Sequence, residues 1–214
     1  MTPENNAELI SDSVSSNDIT PSSPVQYLGR KLAPFNPINV PCALIALEML
    51  DVGSMPNESI LYDLGCGDGR VLMEACKVNT GIRAVGVEYD LNLCERAREN
   101  IRKNGLDSRA FVVHANIMDA DTADAVSIFV YLVPEGLRAI KEMLLSALDR
   151  NVKIVTYVFS IPGITPTRVE IYKGSTKLYL YSRWFRKRCK ESNQNELGGS
   201  KRTCVYLKVY VFYS

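Results

Sequence analysis

Short apolar runs alternate with amphipathic segments along the chain, from about Ser59 to Phe159. The apolar runs predict five strands, over residues 60–64, 84–87, 109–114, 126–132 and 152–159. Between them, apolar residues at helical spacing predict helices over residues 70–78 and 91–104, and from Pro134 to Leu148. Strands that are apolar throughout are buried on both faces, so this alternation predicts a parallel sheet covered by helices on both sides.

The segments before and after this region follow a different pattern. Pro34 and Pro37 favour extended backbone, and Pro41 then opens a predicted helix that reaches Leu50. Toward the carboxyl end, residues 177–185 and 203–213 alternate with a period of two and are rich in tyrosine, which predicts an antiparallel hairpin. The predicted fold is therefore a doubly wound α/β domain, with a mostly parallel seven-stranded sheet that ends in this hairpin.

Composition narrows the class of protein. The chain has 214 residues, 46% of them hydrophobic, which suits one domain over residues 27–214 preceded by a polar, disordered tail over residues 1–26. No run approaches the ~18 apolar residues of a membrane span, and the first 25 residues contain no Lys or Arg, unlike a presequence. We therefore expect a cytoplasmic location. Six cysteines without a CxxC pair and a lone histidine, His114, predict reduced thiols and no metal site.

Charge gives a weaker indication of partners. The net charge of +1 creates no overall field that favours nucleic acid or an anionic membrane. Residues 183–202, however, carry seven basic residues against Glu191 and Glu196. The basic loop within it, Arg186-Lys187-Arg188-Cys189-Lys190, suits docking to an acidic protein or to RNA, although runs of charge are more often solvated surface.

A glycine-rich segment carries the clearest chemistry. Directly after the first predicted strand the chain reads Asp63-Leu64-Gly65-Cys66-Gly67-Asp68-Gly69, and a helix is predicted to begin at the next residue. Glycines at such a point allow a tight turn and close approach of a ligand, and open α/β sheets bind ligands at the carboxyl ends of their strands. The acids Asp63 and Asp68 favour a ligand with a cationic centre over a pyrophosphate. A dinucleotide fingerprint would also require its third glycine where Arg70 stands.

The second predicted strand ends on another candidate. Glu88 lies ~20 residues beyond the glycine loop, the spacing at which an acid can accept hydrogen bonds from the hydroxyls of a ribose. Its neighbour Tyr89 is placed to stack on adenine, or else is a half-exposed aromatic residue.

These residues resemble a known family. The run from Asp63 to Arg70, followed by Gly86-Val87-Glu88-Tyr89-Asp90, looks like motifs I and II of the class I S-adenosyl-L-methionine (SAM)-dependent methyltransferases, which have a Rossmann-like fold. The resemblance implies that Asp63 and the loop residues Gly65, Cys66, Gly67, Asp68 and Gly69 hold the methionine part of SAM. It further implies that Glu88 holds the ribose, and that Asn116 and Ile117 contact adenine.

A narrower resemblance concerns the methyl acceptor. Pro34-Phe35-Asn36-Pro37 and Tyr131-Leu132-Val133-Pro134-Glu135 are similar to segments of a subgroup of short lysine methyltransferases, which act on the ATP synthase c-subunit and the adenine nucleotide translocase and have prokaryotic relatives. Family members often have Val where this chain has Asn36. The resemblance implies methylation of a lysine side chain in a protein, with nucleic acid less favoured because no Asn-Pro-Pro-Tyr motif follows the fourth strand.

Four residues are therefore candidates for the acceptor side. Tyr131 lies at the carboxyl end of the fourth predicted strand and Glu135 lies just beyond it, and both are candidates for catalysis. The alternatives are that Tyr131 packs in the wall of the site and that Glu135 is an acid favoured in the first turn of a helix. Phe35 and Pro37 are candidates to bind the substrate and to form a lid over the site, or else they pack ahead of the first helix. Alternative functions are a small-molecule or RNA methyltransferase and a SAM-binding partner subunit without catalysis.

Overall fold

The computed structural model describes residues 35–183. Its five helices are α1 (Val40–Met49), α2 (Arg70–Val78), α3 (Leu91–Lys103), α4 (Pro134–Ala139) and α5 (Lys141–Asp149). Its seven strands are β1 (Ile60–Leu64), β2 (Arg83–Glu88), β3 (Ala110–His114), β4 (Ala125–Val130), β5 (Lys153–Tyr157), β6 (Arg168–Tyr172) and β7 (Thr176–Tyr181). The five strands predicted from apolar runs all form, and the tail predicted over residues 1–26 lies outside the described residues.

The strands form one mixed sheet in the order β3-β2-β1-β4-β5-β7-β6. β1 pairs in parallel with β2 on one side and with β4 on the other, so the strand order reverses beside β1. A reversal of this kind opens a crevice at the carboxyl ends of the two strands, where α/β proteins bind ligands. The predicted doubly wound, mostly parallel sheet is confirmed.

The predicted carboxyl-terminal antiparallel hairpin is confirmed within the described residues, where it is formed by β6 and β7. β7, which falls in the predicted strand 177–185, pairs antiparallel with β5 on one edge and with β6 on the other. The other predicted strand, residues 203–213, lies outside the described residues. β6 was not predicted because its apolar residues, Val169 and Ile171, are exposed and do not form part of a buried apolar run.

The helix predicted from Pro134 to Leu148 is divided into α4 and α5. The division lies at Ile140, where φ is −101° and ψ is 10°. The backbone hydrogen bonds from Ile140 N to Gly136 O and from Leu144 N to Ile140 O are retained, so the apolar face continues across the break. Leu137, Ile140 and Leu144 are all buried on that face.

Helices cover both faces of the sheet. α1 and α2, with Ile101 of α3, pack on one face, and α4 and α5 pack on the other. Both faces of the central strands are therefore buried, as their apolar sequences require. No helix in residues 35–183 is long and apolar enough to cross a membrane.

Candidate active site

The glycine loop follows β1 and leads into α2. Gly65, Gly67 and Gly69 have φ values of +88°, +55° and +79°, a region that side chains with a Cβ rarely adopt. The amides of Gly65 and Cys66 both donate to Val87 O, at 2.8 and 3.1 Å, which fixes the loop to β2. The loop is therefore a preformed backbone cradle at the carboxyl edge of the sheet.

A further glycine supports this cradle from below. A Cβ on Gly86, within β2, would lie 2.5 Å from Cys66 Sγ and 2.7 Å from Leu72 Cδ1. The loop can therefore pack onto β2 only because residue 86 has no side chain. This role of Gly86 was not predicted, although a glycine inside an apolar strand indicates that another segment of backbone or a ligand approaches the strand closely.

Glu88 has its carboxylate fixed beside the loop. Oε2 accepts a hydrogen bond from Gly67 N, and Oε1 accepts from the amides of Tyr89 and Asp90, each at 2.9 Å. The three donors belong to the glycine loop and to the two residues that precede α3. The position of this carboxylate is therefore set by backbone groups before any ligand binds.

Asp63 supplies an electrostatic requirement for a cation. Its side chain is almost fully buried. Burial raises its pKa well above the ordinary value for aspartate, and the neighbouring charges of Glu88 and Asp68 raise it further. A positively charged group between these carboxylates would offset the cost of ionising Asp63. The ammonium and sulfonium of SAM meet this requirement, whereas a pyrophosphate does not.

Asp68, which was predicted to place negative charge beside the ligand, forms an ion pair with Arg70. Both of its carboxylate oxygens are bound by Arg70, with Nε to Oδ1 at 3.0 Å and Nη2 to Oδ2 at 2.6 Å. Burial alone would raise the pKa of Asp68, but the hydrogen bonds and charge of Arg70, together with Arg96, lower it. The charge of Asp68 is therefore paired within the protein, although its side chain still lines the site.

A cavity of about 520 Å³ opens in front of the loop. It brings together most of the residues predicted for the site. These are Phe35, Pro37, Asp63, Gly65, Cys66, Gly67, Asp68, Glu88, Tyr89, Asn116, Ile117 and Tyr131. They come from the carboxyl ends of four parallel strands and from the segment before α1. Cys66 is buried here as a free thiol, and burial raises its pKa, so the thiol stays protonated.

Two predicted site residues do not line the cavity. Gly69 lies at the start of α2, and a Cβ there would be 3.2 Å from Ala97 Cβ, so it serves the packing of the loop against α3. Glu135 lies in the first turn of α4 with 69% of its side chain exposed and 3.4 Å from Arg138 Nη1. This placement is that of an acid at a helix amino terminus and speaks against a catalytic role.

The region predicted for adenine follows β2 and β3. Asn116 and Ile117 both line the cavity, and Asn116 Oδ1 accepts a hydrogen bond from Met118 N at 3.0 Å. This bond caps a short 3-10 turn and orients the amide. Tyr89 is half exposed at the cavity wall, and its carbonyl lies 3.0 Å from His114 Nε2. His114 therefore has a structural contact rather than a catalytic partner.

The aromatic residues Tyr131 and Phe159 also line the cavity. The Tyr131 ring meets the ring of the buried Tyr157 edge-on, with centroids 4.7 Å apart. Asn36 Nδ2 donates to Tyr131 Oη at 3.3 Å. Asn36 was not predicted as a site residue. The sequence feature that could have indicated a role for Asn36 is that similar sequences often have valine at this position.

Comparison with known proteins identifies the family. Residues 63–168 match the model of the ANTKMT methyltransferase domain. A protein-lysine N-methyltransferase from Saccharolobus islandicus is 32% identical over 140 residues, an alignment that covers 64% of this chain and 87% of that protein. The chain belongs to the class I SAM-dependent methyltransferases. The match also confirms the predicted subgroup and the SAM cofactor.

Other similar proteins agree on the fold and the cofactor of the methyltransferase. A solved RNA methyltransferase from Salinibacter ruber, in complex with S-adenosyl-L-homocysteine, superposes with a TM-score of 0.63. It is 28% identical, and the match covers 69% of this chain and 93% of that chain. A ribosomal protein L11 methyltransferase from Hamiltonella defensa is 27% identical over 136 residues, or 56% of this chain and 44% of that protein.

The geometry fits SAM at defined residues. Asp63 and the glycine loop would hold the methionine part, Glu88 the ribose hydroxyls, and Tyr89, Asn116 and Ile117 the adenine. Bound there, SAM supplies a methyl group on a positively charged sulfur. The protein's own contribution is to exclude water and to align an acceptor against that methyl group from the side of Tyr131, because transfer by in-line displacement depends mainly on positioning.

Proposed function

We propose that this methyltransferase transfers the methyl group of SAM to the side-chain amine of a lysine in a protein. The observation that carries the proposal is the similarity to the archaeal protein-lysine N-methyltransferase, which extends over 87% of that protein. The family model supports it, because its match spans the cofactor loop, the Tyr131 segment and β5 together.

The aromatic side of the cavity suits a lysine. The apolar stem of a lysine packs well against aromatic rings, and its cationic end is attracted to their faces. Tyr131 and Phe159 line the cavity and offer such surfaces, and the buried Tyr157 contacts the Tyr131 ring edge-on. A methyl-accepting amine must first lose a proton, and its remaining N–H groups need acceptors that aim the lone pair at the methyl group. Tyr131 Oη and Asn36 Oδ1 are suitable acceptors at that wall.

One observation favours a second candidate, an RNA acceptor. The Salinibacter ruber structure is that of an RNA methyltransferase and is similar over 93% of its own chain. The two candidates differ in the polymer that carries the product, so a single labelling experiment separates them.

The experiment is incubation of the full chain with methyl-labelled SAM and fractionated lysate. We expect label in the protein fraction, resistant to ribonuclease, that yields methylated lysine after complete hydrolysis. A matched reaction with Glu88→Ala should show no label. Label that ribonuclease removes would support the RNA acceptor and contradict the proposal.

For the compartment we propose the cytoplasm. Cys42, Cys66, Cys76 and Cys94 are buried free thiols, which suits a reducing environment. Cell fractionation should recover the protein with soluble cytoplasmic markers, and recovery in an organelle fraction would contradict this assignment.

A further inference from the structure

The short segment of residues 35–38 crosses the mouth of the cavity. The Phe35 ring lies over the cofactor loop so closely that a Cβ on Gly67 would be 2.6 Å from Phe35 Cε2. Asn36 donates to Tyr131 Oη on the opposite wall. The segment therefore touches both the cofactor side and the acceptor side of the site.

Arg70 joins this segment to the glycine loop. Its Nη1 donates to Ile38 O at 2.7 Å, while Nε and Nη2 bind the two oxygens of Asp68. The side chains of Arg70 and Asp68 are 28% and 7% exposed, so the pair is largely shielded from water. A planar guanidinium can contact both carboxylate oxygens through two nitrogens and still donate from the third, whereas an ammonium has a single nitrogen to serve these partners.

Helix α3 reinforces the same arrangement. Arg96 Cζ lies 5.7 Å from the centre of the Phe35 ring, within the range of a cation–π contact. Asn100 Nδ2 donates to the backbone carbonyl of Asp68 at 3.1 Å. The loop and the segment above it are thus held by contacts from both helices that flank the cofactor site.

From this geometry we infer that Arg70 is a positioning residue that fastens residues 35–38 over the bound cofactor. It acts through Asp68, which anchors its guanidinium to the loop, and through the carbonyl of Ile38. Lifting of the segment uncovers the glycine loop for exchange of the cofactor or its product, and lifting breaks the Arg70–Ile38 bond. Arg70 therefore slows cofactor release and keeps Asn36 against Tyr131 while the acceptor is bound.

The inference rests on the SAM-binding site and not on the identity of the acceptor. Its test is the dissociation rate of labelled S-adenosyl-L-homocysteine from the full chain, chased with excess unlabelled compound. Arg70→Leu removes every contact of the guanidinium, and loss of a charge-assisted hydrogen bond should speed release by about tenfold or more. In Arg70→Lys the ammonium can bind Asp68 or Ile38 O but cannot replace all three contacts of the guanidinium. Its release rate should therefore lie between those of the unaltered chain and Arg70→Leu.

The matched control is Arg83→Leu. Arg83 also forms a close ion pair, with Glu58 at 2.6 Å, but it lies at the amino end of β2, away from the cavity. Its replacement should leave the release rate unchanged. A purely structural role for Arg70 would lower the melting temperature without changing the release rate of the folded protein, and that result would overturn the inference.

A double-mutant comparison gives a second test. Phe35→Ala removes the ring over the loop but leaves the Arg70 contacts in place. If both residues act on one segment, Arg70→Leu combined with Phe35→Ala should release the product little faster than the faster single variant. Multiplication of the two rate increases would contradict a shared mechanism. Should Arg70→Leu not fold, Arg70→Lys serves in the same comparison.

Discussion

Replacement of Glu88 by glutamine tests how the site holds the ribose. The carboxylate accepts from one amide through Oε2 and from two through Oε1. In Glu88→Gln the amide oxygen can face only one of these sides, so its NH₂ group must face a backbone donor. At least one charge-assisted hydrogen bond is lost, and each contributes about 1.5–3 kcal/mol. A ribose hydroxyl that donates to the same oxygen loses its acceptor as well.

The expected consequence is a SAM affinity that is lower by about 10- to 100-fold, since ~1.4 kcal/mol corresponds to a factor of ten. Titration calorimetry with SAM and with S-adenosyl-L-homocysteine measures it directly. The matched control is Glu135→Gln, because Glu135 is an exposed acid outside the cavity. The SAM affinity of this variant should equal that of the unaltered chain. An affinity of Glu88→Gln within twofold of the control would refute the assignment of Glu88 to the ribose.

Three further predictions concern the loop and the acceptor wall. Burial and neighbouring carboxylates raise the pKa of Asp63, so the folded apo protein binds a proton at Asp63 more tightly than the unfolded chain does. The contribution of Asp63 to the free energy of unfolding therefore falls as the pH rises above the ordinary pKa range of aspartate. Asp63→Asn should therefore raise the melting temperature of the apo protein at neutral pH, yet weaken SAM binding. In the unaltered chain, SAM affinity should rise with pH as Asp63 loses its proton, and Asp63→Asn should abolish this rise. A lower melting temperature with unchanged SAM affinity would contradict this prediction. Gly86→Ala should cost about 1–3 kcal/mol in urea unfolding, because its Cβ would overlap Cys66 Sγ; an unchanged midpoint would show that the loop can move aside. Tyr131→Phe should lower kcat with little effect on SAM affinity in calorimetry, and a loss confined to SAM binding would place Tyr131 on the cofactor side.

Much of the part of the site that binds the cofactor was predictable, because its arrangement depends on local sequence. Asp63, the glycine loop and Glu88 lie within two consecutive strand–helix units, so their spacing fixes their arrangement once the strands are parallel. The positive φ values of Gly65 and Gly67 agree with the expected tight turn.

The remaining features depend on contacts between distant parts of the chain. Arg70 binds Asp68 two residues away but also Ile38, thirty-two residues earlier, and no local pattern reveals that second bond. Asp68 was predicted to place its charge beside the ligand, and the structure adds that this charge is paired with Arg70. β6 was not predicted because its apolar residues Val169 and Ile171 are exposed, and it is recognised as a strand only through its pairing with β7.

Methylation of a protein lysine with SAM at this site is tested most directly by mass spectrometry of a protein fraction incubated with SAM that carries a deuterated methyl group. We expect deuterated methyl on the side-chain amine of lysine in one or a few proteins, and none when Glu88→Ala replaces the active chain. Deuterated methyl found on RNA or on a small molecule, with unmodified lysines throughout, would contradict it.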